Sequence, residues 1–281
     1  MTFTSPTDIE ARFKALDKQL EKPVTAYLFG GATMAARGLK LATKDLDIIV
    51  GSRAEFTRLR AASLEHGYTI NNDVSEAYKD VGGKILLDHQ EGGLDIFDRR
   101  VIGKIQLTES IQSRATESFE GASLTVYELS NEDIFALKCV SPRPSKDAAD
   151  LRSLAQAGID YNTVKQELEA QRPMNTGGDE VLRLSPSRGR RHPMLILHEM
   201  CKKVNAISNT LSSWAKEQER KVYTESIIVQ RLETNSASQD ELADIVETEC
   251  GDAVSVKDRI DALLERDVLT QEGDEYSLAE V

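Results

Sequence analysis

The sequence predicts an α+β protein in which a mixed-sheet core is followed by helices and then by a small helical domain closed by a hairpin. Three observations predict it. Apolar runs of strand length alternate with helical spacings up to about residue 130, helical spacing dominates afterwards, and the last sixty residues read helix, helix, helix, hairpin.

The elements follow in order. Ile9, Phe13, Leu16 and Leu20 space a first helix, and Pro23 ends it. Residues 24–29 form a short buried strand that turns through Gly30-Gly31 into a small-residue helix over 32–38. A second strand spans 46–50, and a helix through Phe56, Leu59 and Leu64 follows. Strands at 84–88 and 94–98 flank a Gly92-Gly93 turn, and residues 123–129 alternate as a later strand. Helices are expected at 132–140, at 146–157 with Gly158 as C-cap, and from Met194 to about Lys216. Between them, residues 171–193 are rich in Pro and Gly and read as a linker. In the tail, Ile227, Ile228 and Leu232 mark one helix. Ser238-Gln239-Asp240-Glu241 is a capping box opening a second, and Val256, Ile260, Leu263 and Leu264 line a third. Two short strands around Glu272-Gly273-Asp274 complete the order of a winged helix. The expected domains are therefore 1–158, a helical segment with a basic linker at 159–219, and a winged-helix domain at 220–281.

Composition narrows the class. A chain of 281 residues, 40% hydrophobic and 29% charged, can bury one large core or two modest ones. No apolar run reaches the ~18–20 residues of a membrane span, and residues 1–6 do not resemble a signal peptide. Cys139, Cys201 and Cys250 are far apart and form no zinc or CxxC spacing, so a reduced cytoplasmic protein is expected. The net charge of −12 is uneven: residues 220–281 hold 6 Lys/Arg against 16 Asp/Glu, and the remaining 219 residues hold 29 against 31. A saline cytoplasm would account for the acidity equally well.

The chemistry lies in the first half. A strand entering a helix through Gly30-Gly31 aims backbone N–H groups at one spot, where phosphates can come close. On the next strand, Asp45 and Asp47 share a face by the two-residue period, and such paired carboxylates call for a cation such as Mg²⁺. Asp95 is a third aspartate set in an apolar strand. Each feature alone has an ordinary structural explanation; their order and strand placement make the case. Gly30-Gly31-Ala32, then Arg37-Gly38-Leu39 and Thr43-Lys44-Asp45-Leu46-Asp47, resemble the signature of the DNA polymerase beta-like nucleotidyltransferase superfamily. The nearest branch is the small prokaryotic one of minimal nucleotidyltransferases and abortive-infection toxins of the AbiEii type, over roughly residues 20–155. Lys138, Arg143, Lys146-Asp147 and Asp150 follow the order of that branch's downstream lysine and helix.

The resemblance implies a nucleotidyltransferase core using Mg²⁺, for which Mn²⁺ can substitute. It would transfer NMP from an NTP to a hydroxyl of RNA, such as a transfer-RNA 3′ end, or of a protein. Gly30 and Gly31 would cradle the triphosphate, and Asp45, Asp47 and Asp95 would hold metal, with Asp95 also helping to deprotonate the acceptor. Lys138 would reach a phosphate, as would Lys146, against the alternative that Lys146, Asp147 and Asp150 form a solvated helix face. Many relatives carry an arginine two residues before the threonine, where this chain has Leu41 beside Lys40. A toxin–antitoxin or phage-defence role, with a cognate antitoxin as partner, is a further implication.

Other features are less specific. Arg183, Arg188, Arg190 and Arg191 form the one concentrated basic segment, which suits nucleic-acid phosphates or a charge-balancing linker. His198, near Glu199 and Cys201, is expected to be a packed or exposed histidine, not a metal ligand. The third tail helix carries Lys257 and Arg259 but also Asp258, Asp261, Glu265 and, just beyond it, Asp267, so protein contact or self-association is expected there over DNA binding. The competing expectation for the whole chain is a non-catalytic winged-helix regulator or scaffold with a nucleotide-sensing first domain.

Overall fold

The computed structural model describes residues 3–71, 84–101, 105–140, 144–171, 193–204, 207–250 and 254–279. It divides into two compact units, residues 1–141 with 145–171 and residues 142–144 with 172–281.

The first unit is a mixed α+β domain. Its helix α1 (Pro6–Asp17) starts at a capping box: Asp8 N–H donates to Ser5 Oγ, and Asp8 Oδ2 accepts from Ser5 N–H, with Pro6 opening the first turn. Strand β1 (Val24–Phe29) leads directly into α2 (Gly30–Ala36), and β2 (Asp45–Val50) leads into α3 (Arg53–Glu65), N-capped by Ser52. Five strands follow: β3 (Thr69–Ile70), β4 (Lys84–Asp88), β5 (Gly93–Asp98) and the short pair β6 (Arg100–Val101) and β7 (Ile105–Gln106). Helix α4 (Glu109–Arg114) then precedes the hairpin of β8 (Thr116–Glu120) and β9 (Leu124–Glu128). Helices α5 (Asn131–Cys139), α6 (Pro144–Ala157) and α7 (Tyr161–Gln171) end the unit.

The main sheet has seven strands in the order β3-β4-β5-β2-β1-β9-β8. Strand β2 lies inside it, antiparallel to β1 and parallel to β5. One sheet face carries Ala26, Leu28, Leu46, Ile48, Val50, Leu94 and Ile96, packed with Phe13 and Leu16 of α1 and Phe56 and Leu59 of α3 in one core. At roughly 1.5–3 kcal/mol for each large apolar side chain fully buried, this face dominates the unit's stability. The alternate residues Tyr27, Phe29, Ile49 and Phe97 are buried on the opposite face. The β8–β9 turn is fastened by Asp17, whose carboxylate accepts from the N–H groups of Ala122 (3.1 Å), Ser123 (2.7 Å) and Leu124 (2.7 Å).

The expected boundary at residue 158 falls short, because α7 belongs to the first unit. Glu167, on α7, accepts from Thr108, Ser110 and Arg114, and Gln171 exchanges two hydrogen bonds with the backbone of Gln106. Arg114 also meets buried Asp133 through Nη2 (2.5 Å) and Nε (3.2 Å), so one guanidinium serves two buried carboxylates.

In the second unit, α8 (Pro193–Lys203) and α9 (Asn209–Leu232) replace the single helix expected from Met194 to Lys216. Ser208 caps α9, which then runs unbroken past Arg220, so the expected boundary at 220 cuts a helix. After α9 come β10 (Ala237–Ser238), α10 (Gln239–Cys250), α11 (Val256–Leu264), β11 (Leu269–Glu272) and β12 (Glu275–Leu278), with the sheet ordered β10-β12-β11. Helix, strand, helix, helix, strand, strand is the winged-helix order, and the expected capping box is present between Ser238 and Glu241. Among the described residues no helix is long and apolar enough to cross a membrane.

Replacing Arg114 with Met strands Asp133 and Glu167 as unpaired buried charges. The substitution is expected to cost about 3–5 kcal/mol in urea unfolding followed by circular dichroism. A loss under about 1 kcal/mol would show that Arg114 does not hold α7 to the sheet domain.

Candidate active site

The site forms where β2 emerges between the glycine corner and β5. In the sheet register Asp47 lies opposite Phe29, the residue before Gly30, on one side, and opposite Asp95 on the other. Asp45 and Asp47 share a face, and because β2 and β5 are parallel and in register, Asp95 shares it too. Exposure falls along that face, from exposed Asp45 to half-buried Asp47 and Asp95 and then to buried Ile49 and Phe97. Three of the sequence-predicted residues are therefore on one sheet face, two of them directly paired.

The glycines are required by what packs on them. Gly30 has φ +72°, and a Cβ there would lie 2.3 Å from Asp47 Oδ2. A Cβ on Gly31 would lie 2.6 Å from Thr43 Oγ1 and 3.7 Å from Lys40 Nζ. A Cβ on Gly93 would lie 2.3 Å from Asp45 Oδ1. The aspartate carboxylates thus lie against bare backbone, in the space a side chain would fill.

The loop from α2 to β2 is anchored at both ends. Arg37 donates to Asn131 Oδ1 (2.6 Å), to the Leu129 carbonyl (2.8 Å) and to Glu128 (3.2 Å). Thr43 exchanges backbone hydrogen bonds with Phe3. Between these anchors, Lys40 pairs with Asp150, while Leu41 is 96% exposed.

Lys138 meets Asp147 Oδ1 at 3.0 Å and Asp150 Oδ2 at 2.7 Å. Burial opposes the Lys138 charge, but the two aspartates outweigh it and raise the pKa of the ammonium. Burial likewise opposes ionisation of Asp150, yet Lys138 and Lys40 hold its carboxyl below the ordinary aspartate value. Asp147 and Asp150 are buried, so they do not belong to a solvated helix face. The Lys146 side chain and the whole of Arg143, Arg183, Arg188, Arg190 and Arg191 lie outside the described residues. Sequence reasoning missed Lys40; its proximity to the Gly-Gly corner was the available signal.

Two further expectations concern the second unit. His198 is buried with its Nδ1 against Glu219, a packed histidine. Arg259 and Arg266 both pair with fully buried Glu225 of α9. On and just after α11, exposed Lys257 is therefore outnumbered by exposed Asp258, Asp261, Glu265 and Asp267.

Alanine at Gly30 and at Gly38 (φ +71°, with open space around it) meets the same left-handed backbone, so each is expected to cost about 1–2 kcal/mol. Only Gly30→Ala must also turn the Asp47 carboxylate away, which a ¹³C carboxylate resonance of Asp47 would register. An unchanged resonance would contradict the close approach. No known protein-family model matches this chain, and no curated protein is significantly similar to it.

Proposed function

We propose that the first unit is a metal-dependent nucleotidyltransferase, moving NMP from an NTP to a hydroxyl of RNA or protein. The observation that carries this reading is the in-register pairing of Asp47 with Asp95 while the Asp47 carboxylate lies against Gly30. Carboxylates placed side by side repel unless a cation or hydrogen bonds compensate them, and a side-chain-free corner beside them leaves room for phosphate oxygens.

The donor set fits Mg²⁺, a hard cation that prefers carboxylate oxygens. Among the described residues no three Asp, Glu, His or Cys side chains form a ready-made cage. Mg²⁺ in nucleotide sites uses one or two carboxylates and completes its shell with phosphates and water, so one or two of Asp45, Asp47 and Asp95 would be enough to hold it. When bound, the metal supplies charge stabilisation for the phosphoryl oxygens and a lower pKa for the attacking hydroxyl.

The chain's own residues supply the rest. Gly30 and Gly31 keep side chains away from the triphosphate. A carboxylate oxygen of Asp95 accepts the proton as the acceptor oxygen bonds to the α-phosphorus. The bond from that phosphorus to its bridging oxygen then breaks, and pyrophosphate leaves. Lys138 is engaged by Asp147 and Asp150 and mostly buried, which limits its access to a phosphate. The winged helix, with its arginines turned to Glu225 and its exposed charge mostly acidic, suits a protein contact such as self-association or an antitoxin.

Incubating the protein with each α-labelled NTP, Mg²⁺ and total cellular RNA or protein is expected to label one acceptor class. Asp47→Ala is expected to lower that labelling by at least about 10³-fold, the scale on which an essential catalytic group is felt. Equal labelling by wild type and Asp47→Ala would remove the enzymatic reading.

A further inference from the structure

We propose that Lys40 is the cation that receives the triphosphate at the Gly30-Gly31 corner, with Asp150 and Lys138 as positioning residues; this rests on the nucleotidyl-transfer reading. Its location comes first. The Lys40 ammonium lies 3.7 Å from where a Cβ of Gly31 would be, over the backbone left bare beside Asp47 and Thr43. The other two atoms nearest that position both belong to the Thr43 side chain.

Donor capacity is the second argument. An ammonium has three N–H donors. Lys40 directs two at Asp150, to Oδ1 at 3.0 Å and to Oδ2 at 2.8 Å, and its side chain keeps 31% of its exposure. The third donor can serve an incoming phosphate oxygen without release of Asp150. Lys138 is 12% exposed and divided between Asp147 and Asp150. It also has two donors engaged, but its side chain is far less exposed than that of Lys40, so Lys40 is the ammonium an incoming phosphate meets first.

Charge balance is the third. The cluster is balanced, two ammonium groups against two carboxylates, and within it Asp150 is shared by both lysines while Asp147 meets Lys138. The loop itself is held in advance, by Arg37 on β9 and α5 at one end and by the Phe3 bridge at Thr43 at the other. A ligand would not have to order it, which favours affinity.

The test uses the full chain and inorganic tripolyphosphate, with titration calorimetry in the presence of Mg²⁺ and a transfer assay in parallel. Lys40→Met and Lys40→Gln are expected to weaken tripolyphosphate binding by about tenfold or more, the scale of one charge-assisted contact. Lys40→Arg is expected to stay within about threefold of wild type, and Asp150→Asn to fall between. In the transfer assay Lys40→Met is expected to raise the KM for NTP more than it lowers kcat. The three variants at Lys40, each checked by thermal melting, separate lost charge from lost folding. Wild type failing to bind tripolyphosphate, or Lys40→Met and Lys40→Gln both binding it like wild type, would overturn the proposal. If wild type transfers nucleotide and Lys40→Met leaves the KM unchanged, the enzymatic reading stands and the assignment to Lys40 falls. If wild type transfers nothing yet tripolyphosphate binding still requires Lys40, the anion subsite stands and the enzymatic reading falls.

Discussion

The register of β2 between β1 and β5 is the constraint on which the first unit depends. Antiparallel pairing to β1 sets Asp47 beside the residue that precedes Gly30, and parallel pairing to β5 sets it beside Asp95. A slip of one residue would send Leu46, Ile48 and Val50 out of the core and the two β2 aspartates into it, so hydrophobic burial fixes the register firmly. The core therefore positions the acids: the burial that stabilises one face of the sheet dictates which carboxylates meet on the other. The positive φ and missing Cβ of Gly30 complete the arrangement, because any other residue would collide with Asp47.

Among the described residues, buried charge is shared within clusters such as Arg114 with Asp133 and Glu167, Lys138 and Lys40 with Asp147 and Asp150, and Glu225 with Arg259 and Arg266. Each cluster compensates charges that would be costly alone in a low-dielectric interior. They differ in surroundings. The Arg114 cluster ties α4, α5 and α7 together, and the Glu225 cluster ties α11 and the turn after it to α9. The Lys138 cluster ends at Lys40, a partly exposed side chain over Gly31, and so connects the interior to the proposed phosphate corner.

The central elements were legible because their residues are constrained on both sides. Residues 24–29 and 46–50 are apolar runs in the middle of a sheet, and they fold close to where their composition places them. The edge strand β8 (Thr116–Glu120) has one buried residue and is held by backbone pairing to β9, which leaves no hydrophobic period to read. Helix α4 has one buried apolar residue, Ile111, and the two-residue strands β3 and β10 are too short for any pattern. At the site the two-residue period put Asp45 and Asp47 on one face. The pairing of Asp47 with Asp95 needed the register of strands that are not consecutive in the chain. Lys40 and Asp150 lie 110 residues apart, and no local pattern joins them. Their partnership emerges only when the α2–β2 loop is set against α6.

Electrostatics also bear on which acceptor the proposed transfer would take. The winged-helix order by itself suggests DNA, but fold does not settle function, and the charges must be read residue by residue. Of the two cations on α11, Arg259 is spent on Glu225, where Arg266 joins it, and Lys257 is exposed. What α11 and the turn directly after it leave exposed is one lysine among four acids. Affinity for nucleic acid comes largely from counterion release by clustered cations, and a surface of this sign opposes it, most strongly at low salt. An RNA acceptor of the proposed transfer would be repelled by this surface itself. A protein acceptor or partner with a basic face would meet no such opposition and would be drawn toward the same surface.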